Sequence, residues 1–256
     1  MRRGVTITAT TERGWRVYAI TPTSTPPRGT VVYLHGGSWI HQAVKEHWSW
    51  VQQLADEAST TVLMPVYPLV QQGGTAARVV PVVAKLCEQA PGPVVLMGDS
   101  AGGAIAASAS LLLREREVPV ALTALIAPSL DLSMSNPEID LVQPQDPWLV
   151  KRGLLEVAEL WAGADVDDPI LNPIHGDLHG LSPLMIFSGT RDILNPDARL
   201  FADRAADAGV DVSYRELPGQ LHVYPLLPIP EGRRARTEMV AAVLRAVTGR
   251  RPFAET

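Results

Sequence analysis

The stretch Pro93-Val94-Val95-Leu96-Met97-Gly98-Asp99-Ser100-Ala101-Gly102-Gly103 decides the fold. Its apolar residues run without alternation, as in a strand buried on both faces. The run passes directly into Gly98-x-Ser100-x-Gly102 and then into the Ala-rich segment Gly102–Arg116, which reads as a helix. A serine between strand and helix, with a glycine two residues to either side, must sit on a very tight turn. Bulky neighbours would not fit there, and the turn lifts the hydroxyl clear of the sheet. The helix that follows aims its N-terminal dipole at developing negative charge. A phosphate-binding glycine turn is the competing reading, but the chain lacks both the P-loop lysine and dinucleotide-site glycine spacing here.

Working outward, Thr30–Leu34, Thr61–Pro65, Ala121–Ala127 and Leu184–Ser188 read as further buried strands, and Val210–Glu216 as an edge strand. Helices are expected at Glu46–Ser59, Thr75–Gln89, Lys151–Ala162, Pro196–Ala208 and Glu231–Thr248. Strands separated by helices imply a parallel sheet covered on both faces. Val5–Ala9 and Trp15–Thr21, around a turn at Thr11–Gly14, add a hairpin at one edge. The expectation is an α/β fold with a mostly parallel eight-stranded sheet, in a single domain spanning residues 1–256. The proline-rich excursion Pro128–Pro183 is longer than one crossover needs and reads as a lid or substrate wall.

A hydroxyl needs a base and an orienting acid to become a nucleophile. Among six histidines, His222 lies in a Pro/Gly-rich loop after the last strand, at the same end of the sheet as Ser100. Asp192 follows the preceding strand in Gly189-Thr190-Arg191-Asp192, and Asp197 is the second choice because it reads as a helix-start charge. The first parallel strand ends in His35-Gly36-Gly37-Ser38-Trp39, where glycines let the backbone turn inward. Amides near Gly36, Gly37 and Ser38, with that of Ala101, are the expected oxyanion donors.

These residues resemble the hormone-sensitive-lipase-like family of bacterial esterases, with the α/β-hydrolase fold. The resemblance rests on His35-Gly36-Gly37, Gly98-Asp99-Ser100-Ala101-Gly102-Gly103, Asp192 and His222, the last two 30 residues apart. Pro65-Val66-Tyr67-Pro68-Leu69, Leu130-Asp131-Leu132-Ser133, Asp146-Pro147-Trp148 and Gly180-Leu181-Ser182-Pro183 are also similar to such enzymes. Two features depart from the pattern. Ser38 stands where a third glycine is usual, and only 34 residues precede His35, which implies a reduced cap. The resemblance implies a serine carboxylesterase acting through an acyl-enzyme, with small-molecule ester substrates and no metal or organic cofactor. A lactone or amide hydrolase with the same triad is the alternative. A non-catalytic small-molecule-binding homologue is disfavoured, because Ser100, Asp192 and His222 are all present.

Trp39, Tyr67, Trp148 and Tyr224 fall on loops at strand ends or in the excursion and are expected to line the substrate pocket, whereas Trp48, Trp50 and Trp161 read as core. His175 and His179 flank Asp177 among glycines and proline, which argues against a helical metal pair. Composition sets outer bounds. The chain has 256 residues, 46% hydrophobic and 19% charged, with net charge −5, which excludes disorder and disfavours a nucleic-acid binder. The lone Cys87 permits a reducing compartment. No apolar run reaches membrane-span length, so the expectation is a cytoplasmic protein without a membrane partner, with a homodimer left open.

Overall fold

The computed structural model describes residues 2–163 and 170–253. Pro169 of the excursion and the end of the C-terminal tail lie outside the described residues. Eight strands form one sheet: β1 (Val5–Glu12), β2 (Trp15–Pro22), β3 (Thr30–Leu34), β4 (Thr61–Val66), β5 (Val94–Asp99), β6 (Leu122–Ile126), β7 (Leu184–Gly189) and β8 (Val212–Leu217). Their spatial order is β1-β2-β4-β3-β5-β6-β7-β8. Strands β3 to β8 are parallel, while β2 runs antiparallel to both β1 and β4. The hairpin and the mostly parallel sheet therefore stand as the sequence implied.

Seven α-helices are described: α1 (Lys45–Glu57), α2 (Ala76–Gln89), α3 (Ala101–Glu115), α4 (Glu138–Val142), α5 (Lys151–Ala162), α6 (Asn195–Asp207) and α7 (Pro230–Val247). Alternation along the buried strands divides them between two cores. Val31, Tyr33, Val95 and Met97 pack with α1 and α7, through Trp50, Leu54, Met239 and Val243. Val32, Leu34, Leu96 and Leu125 face the opposite way and pack with α2, α3 and α6, through Val83, Ile105 and Phe201. Runs such as Val94–Met97 lack polar alternation because both faces of the sheet are covered.

The chain leaves β3 for β4 on one side and then returns to place β5 on the other. This makes a topological switch point between β3 and β5, the position beyond the carboxyl ends of the strands where open α/β sheets bind their ligands. The register pairs Leu34 with Gly98, so the residues following each strand, His35-Gly36 and Asp99-Ser100, lie side by side. The excursion holds one more helix than the sequence suggested, the single-turn-scale α4, and α5 brings Trp161 into the α2/α3 core. Among the described residues no helix is long and apolar enough to cross a membrane.

Candidate active site

Ser100 has φ 52° and ψ −121°, a conformation seldom taken by a residue with a Cβ. The surroundings enforce it. A Cβ on Gly98 would stand 2.2 Å from the Gly102 carbonyl oxygen, and one on Gly102 would stand 2.1 Å from that of Leu34. The Ser100 amide is held by the Ile126 carbonyl at 2.8 Å. The turn is thus over-determined by its packing, and the serine hydroxyl projects at the N-terminus of α3.

Ser100 Oγ donates to His222 Nε2 at 2.9 Å, and His222 Nδ1 donates to Asp192 Oδ2 at 2.8 Å. The other Asp192 oxygen accepts the Leu194 N–H at 2.9 Å. Two loops must approach closely for this to happen, and Gly189 permits it: a Cβ there would meet the Gln220 carbonyl oxygen at 2.4 Å. The Arg191 N–H then bonds that same carbonyl at 2.9 Å, tying the aspartate loop to the histidine loop. Burial pulls the His222 pKa down. The Asp192 charge and hydrogen bond, aided by Asp146 and Asp99, outweigh it, so the net displacement is upward. Asp197 stands apart at the start of α6, accepting from Asn136 Nδ2 at 3.0 Å.

The loop after β3 turns through Gly37 (φ 115°), Ser38 (φ 50°) and Trp39 (φ 56°), three successive positive values. The amides of Gly37, Ser38 and Ala101 have no hydrogen-bond partner among the described residues. Gly36 corrects the sequence reading. Its N–H donates to Asp99 Oδ1 at 3.0 Å, so it is committed to a carboxylate and is not free for an oxyanion.

Three of the four expected pocket aromatics lie buried among other residues. Tyr67 is fully buried, stacks on His35 at 4.4 Å and donates its hydroxyl to the His35 carbonyl at 2.7 Å, so it braces the loop from beneath. Trp39 is buried and stacks on Trp161 of α5 at 5.1 Å. Tyr224 is buried in the α1/α7 core. Each was placed at a strand end correctly, but the strand end is itself packed under neighbouring chain. Trp148 alone of the four is solvent-reached, at 49% exposure. It sits on a turn closed by Asp146, whose Oδ1 accepts the Trp148 N–H at 2.8 Å and whose Oδ2 accepts the Ile193 N–H at 3.0 Å. Asp146 thereby fastens the excursion to the residue beside Asp192, a role its turn-like sequence context did not disclose.

Sequence reasoning also missed the surroundings of Asp99. This buried carboxylate accepts from Tyr33 Oη, the Gly36 N–H and His47 Nε2. Burial works against its charge, but His47 and these hydrogen bonds prevail and hold its pKa below the usual carboxylate value. Burial and the Asp99 charge push the Tyr33 hydroxyl well upward, which keeps it a donor. His175 is largely exposed and His179 bonds Asp177 at 2.7 Å; no cluster suited to a metal occurs among the described residues.

A strained serine at the switch point of a doubly covered parallel sheet, linked to a histidine and a buried aspartate, defines an α/β-hydrolase architecture. Residues 31–226 match the family model described as alpha/beta hydrolase fold, and the chain belongs to that family. It is 37% identical to an acetyl-hydrolase of Streptomyces hygroscopicus, over 86% of this chain and 76% of the relative. It is 33% identical to a triacylglycerol lipase of Mycobacterium tuberculosis, over 88% of this chain but 48% of that protein. In fold it superposes with TM-score 0.81 on an esterase from the bacterial hormone-sensitive lipase family, at 24% identity, covering 96% of this chain and 86% of the other.

Proposed function

We propose that the protein is a serine carboxylesterase that hydrolyses small to medium acyl esters through Ser100, His222 and Asp192. The carrying observation is the hydrogen-bonded series Ser100–His222–Asp192, at 2.9 and 2.8 Å, together with the Gly37, Ser38 and Ala101 amides, which have no partner among the described residues. His222 Nε2 takes the Ser100 proton as Oγ attacks the ester carbonyl carbon. The Gly37, Ser38 and Ala101 amides hold the oxyanion of the tetrahedral intermediate. His222 then delivers the proton to the leaving alcohol, and an acyl-enzyme remains. Water repeats the sequence, giving the carboxylic acid and free Ser100. Asp192 keeps the His222 proton on Nδ1 and stabilises the imidazolium. Every proton has a carrier in this cycle, so it requires no metal or organic cofactor.

The kinship with an acetyl-hydrolase supports short acyl groups. The excursion from Pro128 to Pro183 serves as the substrate wall, with the exposed Trp148 turn next to the Asp192 loop. Hydrolysis of p-nitrophenyl acetate, butyrate and a long acyl ester, alongside a lactone and an amide, tests this reading. The expected result is fastest turnover of the two short esters, abolished in Ser100→Ala. Turnover that survives in Ser100→Ala, or a preference for the lactone or amide, overturns it.

A further inference from the structure

His47 is a buried histidine that the proposed reaction does not use, and both of its ring nitrogens are engaged. It occupies the first turn of α1, and its Nδ1 accepts the Val44 N–H at 2.9 Å. With Nδ1 accepting, the ring hydrogen sits on Nε2 and points to Asp99 Oδ2 at 3.1 Å. Asp99 in turn takes the Gly36 N–H at 3.0 Å on its other oxygen. Residues 36–44 are the loop that carries the free Gly37 and Ser38 amides. Its first residue is therefore fastened directly to Asp99, and its last residue is fastened to the same carboxylate through His47. Asp99 is covalently adjacent to Ser100. The fit is tight: a Cβ on Gly36 would stand 2.3 Å from Asp99 Oδ2 and 3.0 Å from the Ser100 Cβ.

We infer that His47 is a positioning residue for the oxyanion site: with Asp99 it clamps both ends of the 36–44 loop to the nucleophile's neighbour, fixing the Gly37 and Ser38 amides relative to Ser100. The inference rests on the serine-esterase reading. The clamp counteracts the strain of the positive φ angles at Ser38 and Trp39, which left alone would let the loop relax and carry its amides away. A preorganised donor gains its catalytic value by being in place before charge develops. Loosening the loop thus penalises the transition state more than the bound ester.

Two amide substitutions separate this role from a merely structural one. His47→Asn places its amide near the Nδ1 position. It can still cap the Val44 N–H but falls short of Asp99. His47→Gln spans both positions: its oxygen can accept from Val44, as glutamine does in a capping box, while its NH2 donates to Asp99. With p-nitrophenyl acetate, His47→Asn is expected to lower kcat roughly 10–100-fold, less than the ~10²–10³-fold typical of deleting an oxyanion donor. KM should stay within about threefold, and a trifluoromethyl ketone, which forms a tetrahedral oxyanion on serine, should bind correspondingly more weakly. His47→Gln should recover most of the rate and of the inhibitor affinity and melt close to wild type, whereas His47→Asn, which leaves Asp99 one buried donor short, should melt a few degrees lower. An unchanged kcat in His47→Asn, equal losses in both variants, or a loss confined to KM overturns the clamp. Ser100→Ala assayed in parallel keeps the two claims apart. If it abolishes turnover while His47→Asn does not impair it, only the clamp fails. If Ser100→Ala retains turnover, the esterase reading fails first.

Discussion

Two histidine–aspartate pairs flank Ser100, His222 with Asp192 on one side and His47 with Asp99 on the other, and they differ in what the second ring nitrogen touches. Burial does not distinguish them: His222 and His47 are each 6% exposed, and Asp192 and Asp99 are 0% and 2%. In the first pair Nε2 faces a hydroxyl that can surrender a proton. In the second, both nitrogens are taken, one by a carboxylate and one by a backbone amide. A histidine with one nitrogen on an acid and the other on a nucleophile is arranged to move protons. A histidine between an acid and a peptide N–H is arranged to hold chain in place. The accompanying acids divide the same way: Asp192 serves a ring and one local amide, while Asp99 gathers three donors from β3, the loop and α1.

The largest expected effect breaks the first pair. Asp192→Asn should cut kcat on p-nitrophenyl acetate by about 10³–10⁴-fold, because it disturbs the tautomer that aims Nε2 at Ser100. The pH profile sharpens the same contrast. In wild type the acid limb of kcat/KM should fall above the ordinary imidazole value of 6.5, because Asp192 outweighs burial at His222. Activity is then lost as pH drops through that limb, when His222 is protonated and cannot act as base. In Asp192→Asn the residual activity should show the limb displaced to lower pH; an unmoved limb would mean that Asp192 does not govern His222.

A smaller effect is expected at the second pair. Tyr33→Phe removes a buried donor to Asp99, whose carboxylate keeps its bonds to Gly36 and His47. Unfolding in urea should show a loss of about 1–3 kcal/mol, with kcat down only severalfold, since the loop ends stay tied. A rate loss matching that of Asp192→Asn would erase the distinction between the two pairs.

The smallest effect lies outside both pairs, at Asp197. Burial pushes its pKa up to about 6 from 3.8, against a hydrogen bond from Asn136. The folded state therefore holds this proton more tightly than the unfolded chain. Stability should fall by roughly 1–2 kcal/mol as pH rises from about 4 to about 6, and Asp197→Asn should flatten that slope. Chemical denaturation across this window checks it, and a slope retained in the variant would assign it to another group.

The elements legible in the sequence were those whose geometry is local. Gly98-x-Ser100-x-Gly102 carries its own steric reason, and the unbroken apolar runs around it identified a sheet covered on both faces. Asp192 and His222 were legible as candidates because chain order and strand ends constrain where such groups fall, and the structure brings both into hydrogen-bonded series with Ser100. What was not legible depends on direction and depth. The glycines after His35 announced a turn, but not that the Gly36 amide faces Asp99 while Gly37 and Ser38 stay free. Tyr67, Trp39 and Tyr224 were placed at strand ends, yet sequence does not say whether a strand end lies under a loop or open to solvent. His47 looks like a helix-start residue, and only the register that sets β3 beside β5 brings it against Asp99.

The most direct test of the central claim is the intact mass of the protein after treatment with diisopropyl fluorophosphate, in which the serine oxygen displaces fluoride from phosphorus. One diisopropyl phosphoryl adduct is expected on wild type, mapped to Ser100, formed much more slowly in His222→Ala and absent in Ser100→Ala. An adduct that persists in Ser100→Ala, or wild type that remains unlabelled, would contradict it.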